Sequence, residues 1–309
     1  MQLGRDWVQA TASAPWQPRF DHASVVYDGK IWVIFGQSGP LFPDIWSSPD
    51  GLHWTLVSQM VPGLWARWGH TAVVHEGKMW VIGGATDHAD VWYSTDGVRW
   101  TSATLNAPWG LRNGHASVVF AGRMWVLGGD ASGYKNDVWS SSNGASWTLA
   151  TAHAQWQPRA YHSAVVFDNK IWVIGGEGGP VSYTDVWCSA NGTTWTLVAS
   201  STPWLGGPDA RAVVCDGKIW VMGGWSLFYT VERYVSDVWS SPDGIHWTQA
   251  TAAAPWHGRV RFTVVVHKRK MWVLGGVYDS GRPFHWPTFL NDVWYSDLPT
   301  AVSRWQLYR

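Results

Sequence analysis

The sequence predicts an all-β protein, a six-bladed β-propeller of four-stranded antiparallel blades. Three observations lead there: a tryptophan recurring every 45 to 52 residues, four short strand-like runs around each recurrence, and an N-terminal segment that spells the fourth run without the other three. The first register is Trp32, Trp80, Trp125, Trp172, Trp220 and Trp272. A second reads Trp16, Trp65, Trp109, Trp156, Trp204 and Trp256, and a third Trp46, Trp92, Trp139, Trp187, Trp239 and Trp294. The fourth is Trp54, Trp100, Trp147, Trp195 and Trp247, with its sixth member displaced to the other end of the chain as Trp7. Only Trp68, Trp225, Trp286 and Trp305 lie off this lattice.

Each repeat reads as strands a to d. In the fourth, His162 to Phe167 is a β-branched apolar run, Asp168-Asn169 a two-residue turn, and Lys170 to Ile174 a second run ending at Gly175-Gly176. After a variable loop come Asp185 to Ser189, the turn Asn191-Gly192, and Thr194 to Val198. Asp-Gly and Asn-Gly favour type I′ hairpins, and the c–d turn recurs as Asp50-Gly51, Asp96-Gly97, Asn143-Gly144 and Asp243-Gly244. Such a sheet is apolar on both faces and must stack on copies of itself. Each buried tryptophan contributes about 4–6 kcal/mol gross, from roughly 150–250 Å² at about 25 cal/mol per Å². No polar capping repeat is present, so a ring is expected, closed by residues 6–11 as strand d of the last blade; Trp305 and its neighbours are the rival for that slot. The expected organisation is one domain over 1–309, with blades near 19–57, 67–103, 112–150, 159–198, 207–250 and 259–296.

Composition excludes several function classes. Charged residues are 14% of 309, and 22 basic residues balance 22 acidic ones, which argues against nucleic-acid and anionic-membrane partners. No apolar run is long enough for a membrane helix and no signal peptide stands out, so a soluble, cytoplasmic monomer is expected, although a trimmed secretion signal stays open. Cys188 and Cys215 read as unpaired strand residues.

The motifs Pro18-Arg19-Phe20-Asp21-His22 and Pro158-Arg159-Ala160-Tyr161-His162, the doublets Gly83-Gly84, Gly128-Gly129, Gly175-Gly176, Gly223-Gly224 and Gly275-Gly276, and the strand-d tryptophan make the chain resemble bacterial Kelch-repeat propellers, a class that includes the central domain of galactose oxidase. It departs in having Trp where Kelch strand c usually has Tyr, and Phe35-Gly36 as the first doublet. The segment Ser48 to Trp54 also faintly resembles the Asp-box of sialidase propellers, although a bare Asp-Gly turn would suffice to produce it.

Antiparallel order places the a–b and c–d turns on one face, and the b–c loops and d–a crossings on the other, around the channel mouth. From the second glycine to the Asp before strand c the intervals are 8, 6, 8, 9, 13 and 16 residues, so repeats five and six carry the longest loops. Their aromatics and arginines make them the expected binding surface: Trp225, Tyr229, Arg233, Tyr234, Tyr278, Arg282, His285 and Trp286, with Trp68 entering from repeat two. Two columns break there as well. Arg19, Arg67, Arg112, Arg159 and Arg259 share a position that is Gly207 in repeat five, and His22, His70, His115 and His162 share one replaced by Ala210 and Phe262, while Arg211 and Arg261 stand beside them. In Kelch-like propellers such Arg and His positions are structural. A histidine per blade at equal radius is too widely spaced to bind a metal, and no cofactor motif is present.

A non-catalytic binding propeller for a protein, peptide or small polar or anionic ligand is the expected function. The resemblance also implies an alternative, an enzyme that isomerises a sugar acid, with arginines capturing the carboxylate and Glu177, Glu232 or His285 moving a proton. A lectin with one pocket per blade is a third reading. The galactose-oxidase copper site has no counterpart here.

Overall fold

A computed structural model of the chain describes residues 2–85, 88–204, 206–228, 231–279 and 287–297, with backbone alone at 226–228 and 231–233. Six four-stranded antiparallel sheets form a ring, with strand a innermost and each strand a packed on that of the next blade, the sixth against the first. In blade 1 the strands are Ala23–Tyr27, Lys30–Ile34, Ile45–Ser48 and Thr55–Ser58. Blade 6 takes Thr263–His267, Lys270–Tyr278 and Thr288–Asp297 from the C-terminal half and borrows Val8–Thr11 as strand d, in register Val8 to Tyr295 and Gln9 to Trp294. No helix among the described residues is long and apolar enough to cross a membrane.

Closure is copied down to single hydrogen bonds. In blade 1, Gly51 N donates to Ser48 Oγ (2.8 Å) and Trp54 Nε1 to the Gly51 carbonyl (3.1 Å). Across the chain break, Gly4 N donates to Ser296 Oγ (2.7 Å) and Trp7 Nε1 to the Gly4 carbonyl (3.0 Å). Residues Gly4 to Trp7 therefore supply blade 6 with its c–d loop as well as its outer strand. Glycine is required at this loop position because the strand-b indole of the preceding blade lies on it: Trp272 on Gly51, Trp32 on Gly97, and Trp220 on Gly4. Those indoles are nearly inaccessible and anchor six apolar clusters, one per seam.

Four sequence expectations need correction. The a–b turns are two-residue type I′ turns, with positive φ at both Asp28 and Gly29 and at both Asp168 and Asn169, but the c–d connections are not. Only Gly51 of Asp50-Gly51 has positive φ, and strands c and d are separated by six residues, Pro49 to Trp54. Asp50 Oδ1 accepts from the amides of Leu52 and His53 (both 2.9 Å), so the side chain, not a tight backbone turn, shapes the loop. Strand b does not always stop at the glycine pair: Arg123–Asp130, Lys170–Glu177 and Lys270–Tyr278 run past it. The long interval of repeat five contains a hairpin of its own, Trp225–Phe228 paired with Val231–Tyr234. Finally, Trp65 does not belong to the second register. The others stand three residues before the Arg19 column, a place held in blade 2 by buried Leu64, and Trp65 is left 69% exposed.

Trp305 lies outside the described residues. The two cysteines are buried and free, and burial pushes both thiols up.

Candidate functional site at the channel mouth

The arginine column and the column two residues after it sit side by side in the chain and do opposite things. Arg19 is fully buried and binds Asp44 bidentately (2.6 and 2.9 Å), while its Nη1 also donates to the Phe35 carbonyl (2.8 Å). Arg112 with Asp137, Arg159 with Asp185 and Arg259 with Asp292 repeat the pattern at 2.6–2.9 Å, and Arg67 pairs with Asp90 likewise. The same carboxylates accept from the strand-c tryptophans, as Trp46 Nε1 to Asp44 (2.8 Å). Burial pushes Asp90 up, but the hydrogen bond and charge of Arg67, with the Trp92 bond, together outweigh it and the carboxyl ends below its ordinary range. These guanidiniums are consumed inside the blades. His22, His70, His115 and His162 are buried too; desolvation and the neighbouring arginines hold His22 and His115 down to about 3 and the other two well below 6.5, so all four are neutral. Among the described residues no group of three or more His, Cys, Asp or Glu could hold a metal.

Two residues past the arginine position, which is Gly207 in blade 5, the backbone of every blade adopts positive φ: Asp21 (54°), Gly69 (63°), Gly114 (60°), Tyr161 (54°), Asp209 (58°) and Arg261 (54°). These six line the channel mouth, and successive amides link them around it. Asp21 N donates to Arg261 O (3.0 Å), Gly69 to Asp21 (3.1 Å), Gly114 to Gly69 (3.0 Å), Tyr161 to Gly114 (2.7 Å) and Asp209 to Tyr161 (3.1 Å). One backbone geometry thus carries two aspartates, a tyrosine, an arginine and two glycines. Gly114 is needed small, since a Cβ there would meet the Tyr161 ring at 3.1 Å. That ring crosses Gly114 and its hydroxyl donates to Asn113 Oδ1 (3.1 Å).

Arg261 crosses the mouth. Its Nη1 donates to Asp21 Oδ2 of blade 1 (3.2 Å), its Nε lies 3.8 Å from Asp209 Oδ2 of blade 5, and its guanidinium sits 4.9 Å from the Tyr161 ring of blade 4. Contacts to three other blades put the group close to the axis, where 32% of the side chain is exposed. Arg211 approaches from below, donating to the Phe262 carbonyl (2.9 Å) and to Asp209 Oδ1 (3.4 Å). Beneath the ring is a chamber of about 200 Å³ lined by Arg211, the neutral histidines and the hydroxyls of Ser24, Thr71, Ser117 and Thr263.

Burial sets the acidities. It raises Asp21 to about 6 despite Arg261, with Asp209 adding to the rise. It raises Asp209 against the pull of Arg261 and Arg211, and raises Glu177, whose Oε1 accepts from the Tyr134 hydroxyl (3.4 Å). Burial also pushes the Tyr161 phenol up, so it stays protonated. The mouth therefore offers a partly exposed cation, a carboxyl that titrates near neutrality, and a fixed neutral hydroxyl.

Of the binding residues expected from sequence, Arg211 and Arg261 meet at this site. Trp225 is half-buried beside it, its amide donating to the Pro208 carbonyl (3.2 Å), and Tyr234 pairs with it across the hairpin. Tyr278 stacks instead on His257 (4.6 Å), and Trp68 bridges to Ala85. The Arg233 and Glu232 side chains, and all of Tyr229, Arg282, His285 and Trp286, lie outside what is described. Sequence reasoning missed Asp21, Tyr161 and Asp209. The signal was available: theirs is the column whose chemistry changes from blade to blade.

The family model described as KLHDC2/KLHL20/DRC7 Kelch-repeats domain matches residues 85–276, more than half of the chain. A search of curated proteins gave no match. Among solved structures 631 chains match, so the likeness speaks to fold and the function has to come from the site. One of them, titled "Structure of YjhT", is 16% identical with a TM-score of 0.74, covering 92% of this chain and 96% of that one. Repeat motifs, ring architecture and family match agree, and the chain belongs to the Kelch-repeat family of six-bladed β-propellers.

Proposed function

We propose that this propeller is a binding module whose site is the channel mouth on the face of the b–c loops and d–a crossings, taking a small polar ligand. The observation that carries the reading is Arg261, a guanidinium held across the axis by side chains of three other blades yet one-third exposed. Convergent polar groups over a concavity are the usual make-up of a ligand site. Blades 5 and 6 supply Asp209, Arg211 and Arg261, and the half-buried Trp225 offers an apolar wall. Saturation-transfer NMR against a panel of sugars, sugar acids and amino acids tests it. Hits are expected for the wild type and lost in Arg261→Gln, with Trp225→Ala weakening them at nearly unchanged melting temperature. Hits that survive Arg261→Gln would place the site elsewhere.

A second reading, isomerisation of a sugar acid, is favoured by Asp21, whose carboxyl titrates at about 6 beside an arginine and a tyrosine, the range a proton-transfer group needs. Anomer exchange followed by NMR tests it: acceleration abolished by Asp21→Asn supports catalysis, and an unchanged rate at micromolar protein removes it.

A further inference from the structure

Resting on the mouth as the binding site, we infer that it takes an anionic group on Arg261 and that Asp21 takes up one proton as the anion binds. The charges within the mouth cancel in the resting protein: Asp21 and Asp209 are matched by Arg211 and Arg261. A neutral site whose most exposed cation already faces two carboxylates repels an incoming carboxylate or sulfate almost as much as it attracts it. Removing one negative charge changes the balance to +1. Asp21 is the group placed to do so, because it is buried and bonded to the Arg261 Nη1 that an anion would share; burial and the Asp209 charge favour its protonated form, against a Gln37 hydrogen bond that favours the carboxylate.

Most of the other groups around Asp21 keep one charge state between pH 5 and 8. His22, next in the chain, stays neutral, as burial and Arg19 hold it to about 3. Tyr161 keeps its proton, and Arg261 keeps its charge. Asp209 and Glu177 are raised by burial, and protonation of either on acidification would add to the effect. Proton uptake coupled to binding makes the apparent affinity fall by up to tenfold for each pH unit above the Asp21 midpoint of about 6. Asp21→Asn is a mild probe, since asparagine tolerates the positive φ of 54° at this position.

Equilibrium dialysis with labelled sulfate, whose charge is constant over this range, provides the test at pH 5 and pH 8 with ionic strength matched by chloride. Wild type is expected to bind at least tenfold more tightly at pH 5. Asp21→Asn should lose most of this pH dependence and bind at pH 8 near the wild-type pH 5 affinity, and Arg261→Gln should bind at neither. Binding lost in Arg261→Gln but insensitive to pH in the wild type would overturn the proton coupling while leaving the mouth as the site. Sulfate binding that ignores Arg261→Gln, or is absent throughout in folded protein, would overturn both.

Discussion

Two rings of side chains, two residues apart in each repeat, divide this molecule. The Arg19 column recurs in five blades, is buried, and spends its guanidiniums on Asp44 and its counterparts. The Asp21 column keeps one backbone conformation in all six blades while carrying four residue types, Asp, Gly, Tyr and Arg. Repetition in this chain marks what holds the blades, and variation on an unchanging backbone marks where a ligand can be recognised. The expected consequence is that perturbing the first ring costs stability and perturbing the second costs binding.

Acid should break the frame most severely. The unfolded chain protonates histidine near pH 6.5, whereas the fold holds His22 and His115 down to about 3 and His70 and His162 well below normal. The unfolded state then binds more protons, so stability falls as pH drops through that window. Asp21, with its raised midpoint of about 6, and the likewise raised Asp209 and Glu177 have the opposite sign and favour the fold as pH falls, but three carboxyls oppose four imidazoles. The urea midpoint should fall further between pH 7 and 4.5 than in any single variant below, and an unchanged midpoint would mean the imidazoles are not neutral in the fold.

Next comes Arg159→Ala, which strands the Asp185 carboxylate against buried backbone; a loss of about 3–5 kcal/mol is expected in urea melts. Arg261→Gln should cost less than Arg159→Ala, because Arg211 still faces Asp209 and Asp21 can take up a proton, and should move the Asp21 midpoint upward, because the guanidinium now lowers it. Carbon-13 carboxyl titration reads that shift directly. A smaller pair sharpens the seam geometry. Gly97→Ala pushes a methyl into the Trp32 ring at a φ of +74° and should cost about 2–4 kcal/mol, whereas Gly77→Ala, at +68° with open space around it, should cost about 1 kcal/mol. Equal losses would show that backbone strain, not the indole, fixes these glycines.

Much of this was legible in the sequence, and the failures have physical causes. Strands, blade number and the donation of Val8–Thr11 to the last blade followed from apolar periodicity and from Trp7 standing where a strand-d tryptophan was missing. The c–d loops were misread because Asp-Gly is equally at home in a type I′ turn and in a loop where Asp50 caps two amides. Trp65 was misplaced because one extra residue in its crossing puts Leu64 at the buried position, and indole identity hid the slip. The mouth was half found. Arg211 and Arg261 stood out as charges, but Asp21 and Asp209 acquire meaning only when the ring brings blades 1 and 5 onto one guanidinium, a contact between residues 240 apart for Asp21 and Arg261.

The smallest effect completes the comparison of turns. Five a–b turns carry Gly or Asn at their second position; the sixth is Lys268-Arg269, both at positive φ. Arg269→Gly should stabilise by about 1 kcal/mol in the same urea assay, with no effect on the mouth.

The division between frame and mouth is tested most directly by the arginine Nε–Hε signals of nitrogen-15-labelled protein during a sulfate titration at pH 5. Shifts confined to Arg261 and Arg211, with Arg19, Arg67, Arg112, Arg159 and Arg259 unmoved, are the expected result. Movement of the buried five, or silence at Arg261 while sulfate binds, would contradict a recognition site at the channel mouth.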